Sequence, residues 1–554
     1  MSSVFSILTP NEKVKMCLHA ALDSLIGLLD IVFLAGLVLI INLYTTTGII
    51  AGNYAYFQSV AGKDPLLYIG AFFVLFSLKN WLGYLLSRKQ YNFFYSVASR
   101  LSKRNVLHYL HGGYAQFVNT DSSVYFRKIS QQPIEFSNYI LTNIQQIISQ
   151  GILVIFTIAG ILLYHPRLFV SLFCLLIPPV ILLAWFIKRK LKNIRTNIKI
   201  SSQLTIQHLQ ESLSGYVESN IYEKTGFFTG RYYRYQRQMN DNIATQQSLQ
   251  SLPSRLIEVF AVLGFFILIA VNKLSANTSA ISLLTIGVFM AATYKIIPGI
   301  IKILNSAGQI KTYQFTLEDL ARDNDETSVA ESVIPSDPIT SIQFESIHFR
   351  YQRHSVLSGI SFQLNPGDFA GMSAASGKGK TTIVNLLLGF LEPADGVIAI
   401  NHKIANAATR QHYRRRISYV KQQPFFIHDS ILKNITLADD QYDRVKLEEV
   451  ISFCGIDQLL EKYPEDLEKV VKENGKNISG GQRQRIMLAR ALYHDFDLLI
   501  LDEPFGEMDD DSEKGILEQL QLLARQGKMI LFITHNKSSL SFCNKIFSPD
   551  EEYA

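Results

Sequence analysis

At 554 residues the chain is too long for one ordinary core, so two or more domains are expected. Hydrophobic residues make up 48% and charged residues 18%, which is too apolar for a simple soluble enzyme and directs attention to membrane segments. The net charge of +6 suits cytoplasmic loops facing anionic lipid as well as it suits nucleic acid, and Cys17, Cys174, Cys454 and Cys543 form no CxxC pair, so neither a disulfide framework nor a zinc site is indicated.

The opening MSSVFSILTPNEKVKM does not read as a secretory leader, because the apolar run after it is long and no small-residue cleavage motif follows. Apolar residues concentrate in the first 305 positions, where six spanning helices are expected near 20–44, 66–87, 141–164, 168–188, 255–273 and 281–303. Between them, 88–140 and 189–254 are long and rich in cations, whereas the other connections hold few. That asymmetry places both long loops and both termini in the cytoplasm. Helix-forming polar stretches such as IKISSQLTIQHLQESL imply that the spanning helices continue well past the membrane. Asp23, Asp30, Lys79, Gln146, Gln150, Glu258 and Lys295 lie inside or near the spans, where polar groups face a cavity, pack on a neighbouring helix or snorkel at an end. Lys79, Lys295 and Lys302 would then be either contacts for an anionic headgroup or anchors at helix ends. Pro178, Pro179 and Pro298 are expected to bend their helices.

From about 316 to 339 the sequence turns acidic, polar and proline-punctuated, as a linker does. After it, short β-rich runs alternate with helical runs, which argues an α/β domain over 340–554 with a mainly parallel sheet. The predicted fold class is therefore an all-α six-helix transmembrane domain over 1–315 followed by an α/β domain.

Within that domain, SAASGKGKTT at 373–382 lies between a strand-like run and a helical run, the setting a phosphate-binding loop requires. Ser376, Gly377, Lys378, Gly379 and Thr382 would form the cradle, Lys380 would reach the outer phosphates, and Thr381 would place its hydroxyl on Mg²⁺. Ala374 stands where such loops have their first glycine. The run LLILDE at 498–503 is an apolar strand ending in two carboxylates, expected directly beside the phosphate-loop strand. Asp502 would hold Mg²⁺ through water, and Glu503 would act as general base on the attacking water.

Between these two motifs, ISGGQRQR at 478–485 resembles the LSGGQ signature of ATP-binding cassette (ABC) proteins. The resemblance runs from about 340 to 545, with every motif in family order. It implies that Tyr351 stacks on adenine and that Gln422 senses Mg²⁺. It also implies that Ser479, Gly480, Gly481 and Gln482 close over the γ-phosphate held by a second subunit, that Asp509 belongs to the loop after the carboxylate strand, and that His535 contacts the γ-phosphate. Ile478 replaces the usual leucine, and GEMD at 506–509 replaces the common SALD. Six spans and one cassette imply an exporter half-transporter that binds ATP and Mg²⁺ and pairs with a second copy of itself. Its setting would be a bacterial cytoplasmic membrane, its cargo a lipid, lipid-linked glycan, peptide or drug-like molecule, and it would take no nucleic acid. An ATP-dependent regulatory or gating protein without cargo is the alternative.

Overall fold

The computed structural model describes all residues except 1, 46–64, 165–184, 187–188, 191–193, 195, 275–282, 326–336, 352–353, 374–377, 440 and 549–554. The chain divides into two compact units. One comprises Met1–Gly112 and Gln116–Val329, and the other Gly113–Ala115 and Ala330–Ala554.

The first unit is helical. A short α1 (Ser2–Ile7) precedes α2 (Pro10–Thr45) and α3 (Pro65–His111). Helix then continues over 122–164, ending in α4 (Thr142–Tyr164); residues 196–214 are also helical, and α5 (Thr225–Leu274), α6 (Leu283–Thr312) and α7 (Gln314–Asp325) follow. Among the described residues, three segments are long and apolar enough to cross a membrane: Pro10–Phe33, Ile69–His111 and Ser122–Gly160. The expected fourth span, 168–188, falls almost wholly outside the described residues. With 47 residues, α3 is about 70 Å long, roughly twice the thickness of a bilayer core, so it extends past the membrane as expected. The 50-residue α5 is longer still, about 75 Å.

Two π-helical stretches, Arg127–Gln131 and Phe136–Leu141, interrupt the run from 122 to 164. Such widened turns gather at functional or strained points of helices. Here they face α7, which occupies the start of the segment expected as linker. It is helical because Phe315 and Leu320 are buried in a cluster with Val4, Ile7 and Leu8 around α1 and with Phe93, Phe94, Val97 and Leu101 of α3. The Phe315 ring lies between two cations, 4.9 Å from the Arg127 guanidinium and 5.5 Å from the Lys199 ammonium. Asp319, one turn on, accepts from Gln132 at 2.9 Å and from Lys199 at 3.0 Å.

Lys79 is buried, ion-paired with Asp30, and lies 4.8 Å from the Phe76 ring. An ion pair at this depth satisfies each charge by the other. Lys79 is thus neither a lone contact for an anionic headgroup nor a snorkelling anchor. The Gln146 amide oxygen accepts from Ser306 at 3.3 Å, which ties α4 to α6, and α6 runs through Pro298. The side chains of Glu258 and Lys295 lie outside those described.

The second unit is built on two sheets. β1 (Ile342–Tyr351), β2 (His354–Leu364), β4 (Asp395–Ile400) and β5 (Lys403–Ile404) form an antiparallel sheet in the order β2-β1-β4-β5. A parallel sheet holds β3 (Phe369–Met372), β6 (Ile417–Val420), β9 (Leu498–Asp502), β10 (Met529–Ile533) and β11 (Lys545–Phe547), in the order β11-β3-β10-β9-β6; β7 (Asp429–Ser430) pairs with β8 (Val470–Val471). β9 and β10 are buried along their full length, as continuous apolar runs in a parallel sheet require. Against expectation, β9 does not neighbour the phosphate-loop strand β3. The equally apolar β10, MILFI, takes the central place between them.

Replacing Phe315 by alanine removes a buried ring and the surface under two cations. The expected loss is about 3–5 kcal/mol, read as a lowered melting temperature of the purified protein in detergent.

Candidate nucleotide-binding site

The carboxyl ends of β3, β10 and β9 lie in register, so whatever follows each strand gathers at one edge. After β3 come the phosphate loop and α8 (Lys380–Leu387). Gly379 caps this helix at φ 85°, and a β-carbon there would push the Leu357 side chain aside and crowd Val356. The positive φ is what demands glycine there. Residues 374–377, which include Ala374, Ser376 and Gly377, lie outside the described residues. Thr381 is exposed at the helix start and Thr382 is buried.

Lys380 is buried, and its ammonium meets the groups that follow the other two strands. It donates to Glu503 Oε1 at 2.7 Å and lies 2.5 Å from His535 Nε2. His535 Nε2 is also 2.8 Å from Glu503 Oε1. The other Glu503 oxygen, Oε2, accepts from the Gln422 amide at 2.8 Å. Four residues from four segments, all anticipated from sequence, therefore form one hydrogen-bonded cluster. Glu503 takes φ 51°, a left-handed backbone that costs a non-glycine residue strain of the kind held at functional sites.

Burial opposes ionisation of Glu503, but the Lys380 ammonium, His535 and the Gln422 amide outweigh it and hold its pKa below the ordinary 4.5. Asp502, deeper in the strand, behaves oppositely. Its burial and the charge of Glu503 raise its pKa, and the Tyr419 hydroxyl, donating at 3.2 Å, only partly offsets them. A buried, costly carboxylate beside a phosphate loop fits a hard dication that takes oxygen donors. Thr381, Gln422 and Asp502 supply oxygens of that kind. The Tyr351 ring, half exposed, ends β1 with Phe349 edge-on at 4.8 Å.

The signature begins α9 (Gly480–Tyr493). Ser479 caps it: the Gln482 amide N–H donates to Ser479 Oγ at 3.4 Å, and Ser479 N–H donates back to Gln482 Oε1 at 2.9 Å. The pattern Ser-x-x-Gln is thus a capping box, legible from the sequence as such. Asp509 caps α10 (Asp510–Arg525) by accepting from Ser512 N–H at 2.9 Å, and the Ser512 hydroxyl together with this backbone bond holds its pKa low. Gly480 and Glu503 line one narrow cleft with Gln422, Arg483 and Glu507.

Asn434 and Arg490 carried no motif and are found by the structure alone. The fully buried Asn434 side chain bonds the backbone of Ile427, Asp429 and Ser430, fixing the loop after Gln422. Arg490, on α9, bonds the carbonyls of Asn434 at 2.6 Å and Phe425 at 2.8 Å. Burial lowers its pKa to about 10. The loop and the signature helix are therefore one mechanical piece.

Residues 357–506 match the family model described as ABC transporter. The chain is 33% identical over 214 residues to an ATP-dependent lipid A-core flippase of Saccharophagus degradans, an alignment spanning 38% of this chain and only 36% of the relative. It is 26% identical over 425 residues to an ATP-dependent lipid A-core flippase of Bordetella avium, covering 74% of this chain and 70% of the relative. The fold matches that of a bacterial Atm1-family ABC exporter with ATP bound, at a TM-score of 0.75 and 18% identity, over 97% of this chain and 93% of that one.

Two outcomes follow from the cluster. Because the Glu503 pKa is depressed in the fold, its pairing stabilises above the ordinary 4.5 and is lost as pH falls through the lowered value. The melting temperature of wild type should exceed that of Lys380→Met near neutrality, and the gap should close in acid; a gap independent of pH would contradict the pairing. Asn434→Ala leaves buried backbone groups unpaired and should cost about 1–3 kcal/mol in thermal unfolding.

Proposed function

We propose that this chain, an ABC transporter cassette joined to a helical unit of exporter fold, is one half of an ATP-driven exporter or flippase that works as a pair of identical copies. The observation that carries the reading is the convergence of Lys380, Glu503, His535 and Gln422 within hydrogen-bonding distance at one sheet edge. A binding protein without turnover has no use for a strained carboxylate held beside a phosphate-loop lysine.

In this reading Lys380 binds the outer phosphates of ATP, with Tyr351 against the base. Phosphate oxygens then compete with Glu503 for the ammonium. As Lys380 turns to phosphate, Glu503 loses the cation that depresses its pKa and becomes a stronger base for water. His535, already within reach of both groups, keeps the carboxylate oriented and faces the terminal phosphate. The Gln422 amide nitrogen holds Glu503, leaving its oxygen for the metal. Magnesium, when bound with the nucleotide, would neutralise charge on the phosphates, with Thr381, Gln422 and Asp502 as its donors. Ser479, Gly480, Gly481 and Gln482 close over the nucleotide of the partner copy, and ATP drives the change because it binds the closed pair more tightly than the open one.

The names of the flippase relatives support a lipidic amphiphile as the substrate class to test ahead of a lipid-linked glycan, a peptide or a drug-like molecule. They also favour a moved substrate over a regulatory ATPase without cargo. The cation-rich cytoplasmic segments support a bacterial cytoplasmic membrane with the cassette and both termini inside.

ATP turnover by the purified protein in lipid, measured with lipid, glycolipid and peptide extracts, tests the reading. Turnover should rise with one extract. Glu503→Gln should abolish turnover, at least a hundredfold on the order expected for loss of a general base, while keeping nucleotide binding. Lys380→Ala should lose nucleotide affinity. Normal turnover in Glu503→Gln would show that another group is the base.

A further inference from the structure

The segment after β9 reads Gly506-Glu507-Met508-Asp509 and is strapped to the first turn of the signature helix. Arg483 donates to Glu507 Oε2 at 2.8 Å. The Glu507 backbone N–H donates to Gln484 Oε1 at 3.0 Å. The Glu507 carboxylate fills the place that a β-carbon on Gly480 would take, and its own Cβ would lie 2.8 Å from that atom. The backbone of Glu507 stands 3.2 Å from a β-carbon built on Gly481. The carboxylate thus rests on Gly480 and the same residue's backbone on Gly481, at the positive end of a 14-residue helix, with the carboxylate paired to a guanidinium one turn in.

That is the chemistry by which proteins take phosphate: a helix N-terminus, glycines that admit close approach, and an arginine. We propose that Glu507 is an intramolecular stand-in for phosphate on the signature, and that it must swing away before the signature can accept the nucleotide of a partner copy. The proposal rests on the reading of the chain as a paired ATPase. Glu507 is a positioning residue, since it acts through the Arg483 guanidinium and the Gly480 backbone. Its consequence is a threshold: nucleotide must displace an internal anion, so half-saturation is set higher than the phosphate loop alone would set it. Glu507 is about half exposed, so the pair is light enough to open.

The test is ATPase activity of the full chain in lipid vesicles against ATP concentration, for wild type, Glu507→Gln, Glu507→Ala, Glu507→Asp and Glu503→Gln, at low and raised ionic strength. Glu507→Gln and Glu507→Ala should lower half-saturation by about two- to fivefold, the scale an exposed ion pair can impose, with kcat changed less. Glu507→Asp, charged but shorter, should fall between. The difference between wild type and Glu507→Gln should shrink with salt, because the pair is screened. Turnover absent in wild type and present in Glu507→Gln would support the latch in its strongest form. Unchanged or raised half-saturation in both neutral variants, with turnover still sensitive to Glu503→Gln, would overturn the latch and leave the ATPase reading standing. A fall in kcat and melting temperature alone would make the contact a structural strap and overturn it too. No turnover in any variant would overturn both.

Discussion

One ammonium group organises the candidate site. Nζ of Lys380 touches both Glu503 and His535, and through Glu503 it is linked to Gln422. None of these contacts is local in sequence. They exist because three parallel strands end at the same level, with β10 between the strands that deliver the lysine and the glutamate. A shift of either strand pairing by one residue would turn the following loop to the other side of the sheet. The buried apolar runs of β9 and β10 therefore do more than form a core, since they fix the register on which the polar cluster depends.

The two halves of the proposed site share a physical device. On the phosphate-loop side, a lysine is neutralised by Glu503; on the signature side, an arginine is neutralised by Glu507. Each cation is held ready by a carboxylate of the same chain, one of them largely buried and the other half exposed. Desolvated charge needs such partners, and exposed charge gains less from them. The buried pair gives the site its shape at rest, whereas the exposed pair suits a contact that opens and closes.

Much of this was legible in the sequence because phosphate chemistry constrains residue type and spacing tightly. Lys380, Glu503, His535 and Gln422 were anticipated, and the structure brings them together. The capping box in Ser-Gly-Gly-Gln was legible too, though it reads first as a signature and only second as a helix start. Other features had no local signal. That β10 would separate β3 from β9 is a property of sheet order, which apolar runs of similar length cannot declare. Asn434 and Arg490 act by closing hydrogen bonds between segments remote in sequence, and an isolated asparagine carries no mark of that role. The helix Gln314–Asp325 looked like linker because its composition is acidic. Its placement follows from Phe315 and Leu320, whose partners come from the chain's first eight residues and from α3. Lys79 likewise shows its partner only when α2 and α3 are laid side by side.

The two π-helical stretches between Arg127 and Leu141 bear on how this segment can vary. A widened turn holds one residue more than an α-turn at little gain in length. Everything beyond it is therefore rotated about the helix axis by about 100° relative to an uninterrupted helix. The face that α4 shows to α6, including the Gln146 contact with Ser306, is thus set by two local insertions upstream. Relaxing either stretch to regular helix without losing a residue would turn that face away by about 100°, whereas loss of one residue together with that relaxation would restore it. A single-residue deletion is therefore absorbed within the widened turns, while one elsewhere in the run would turn every face downstream of it.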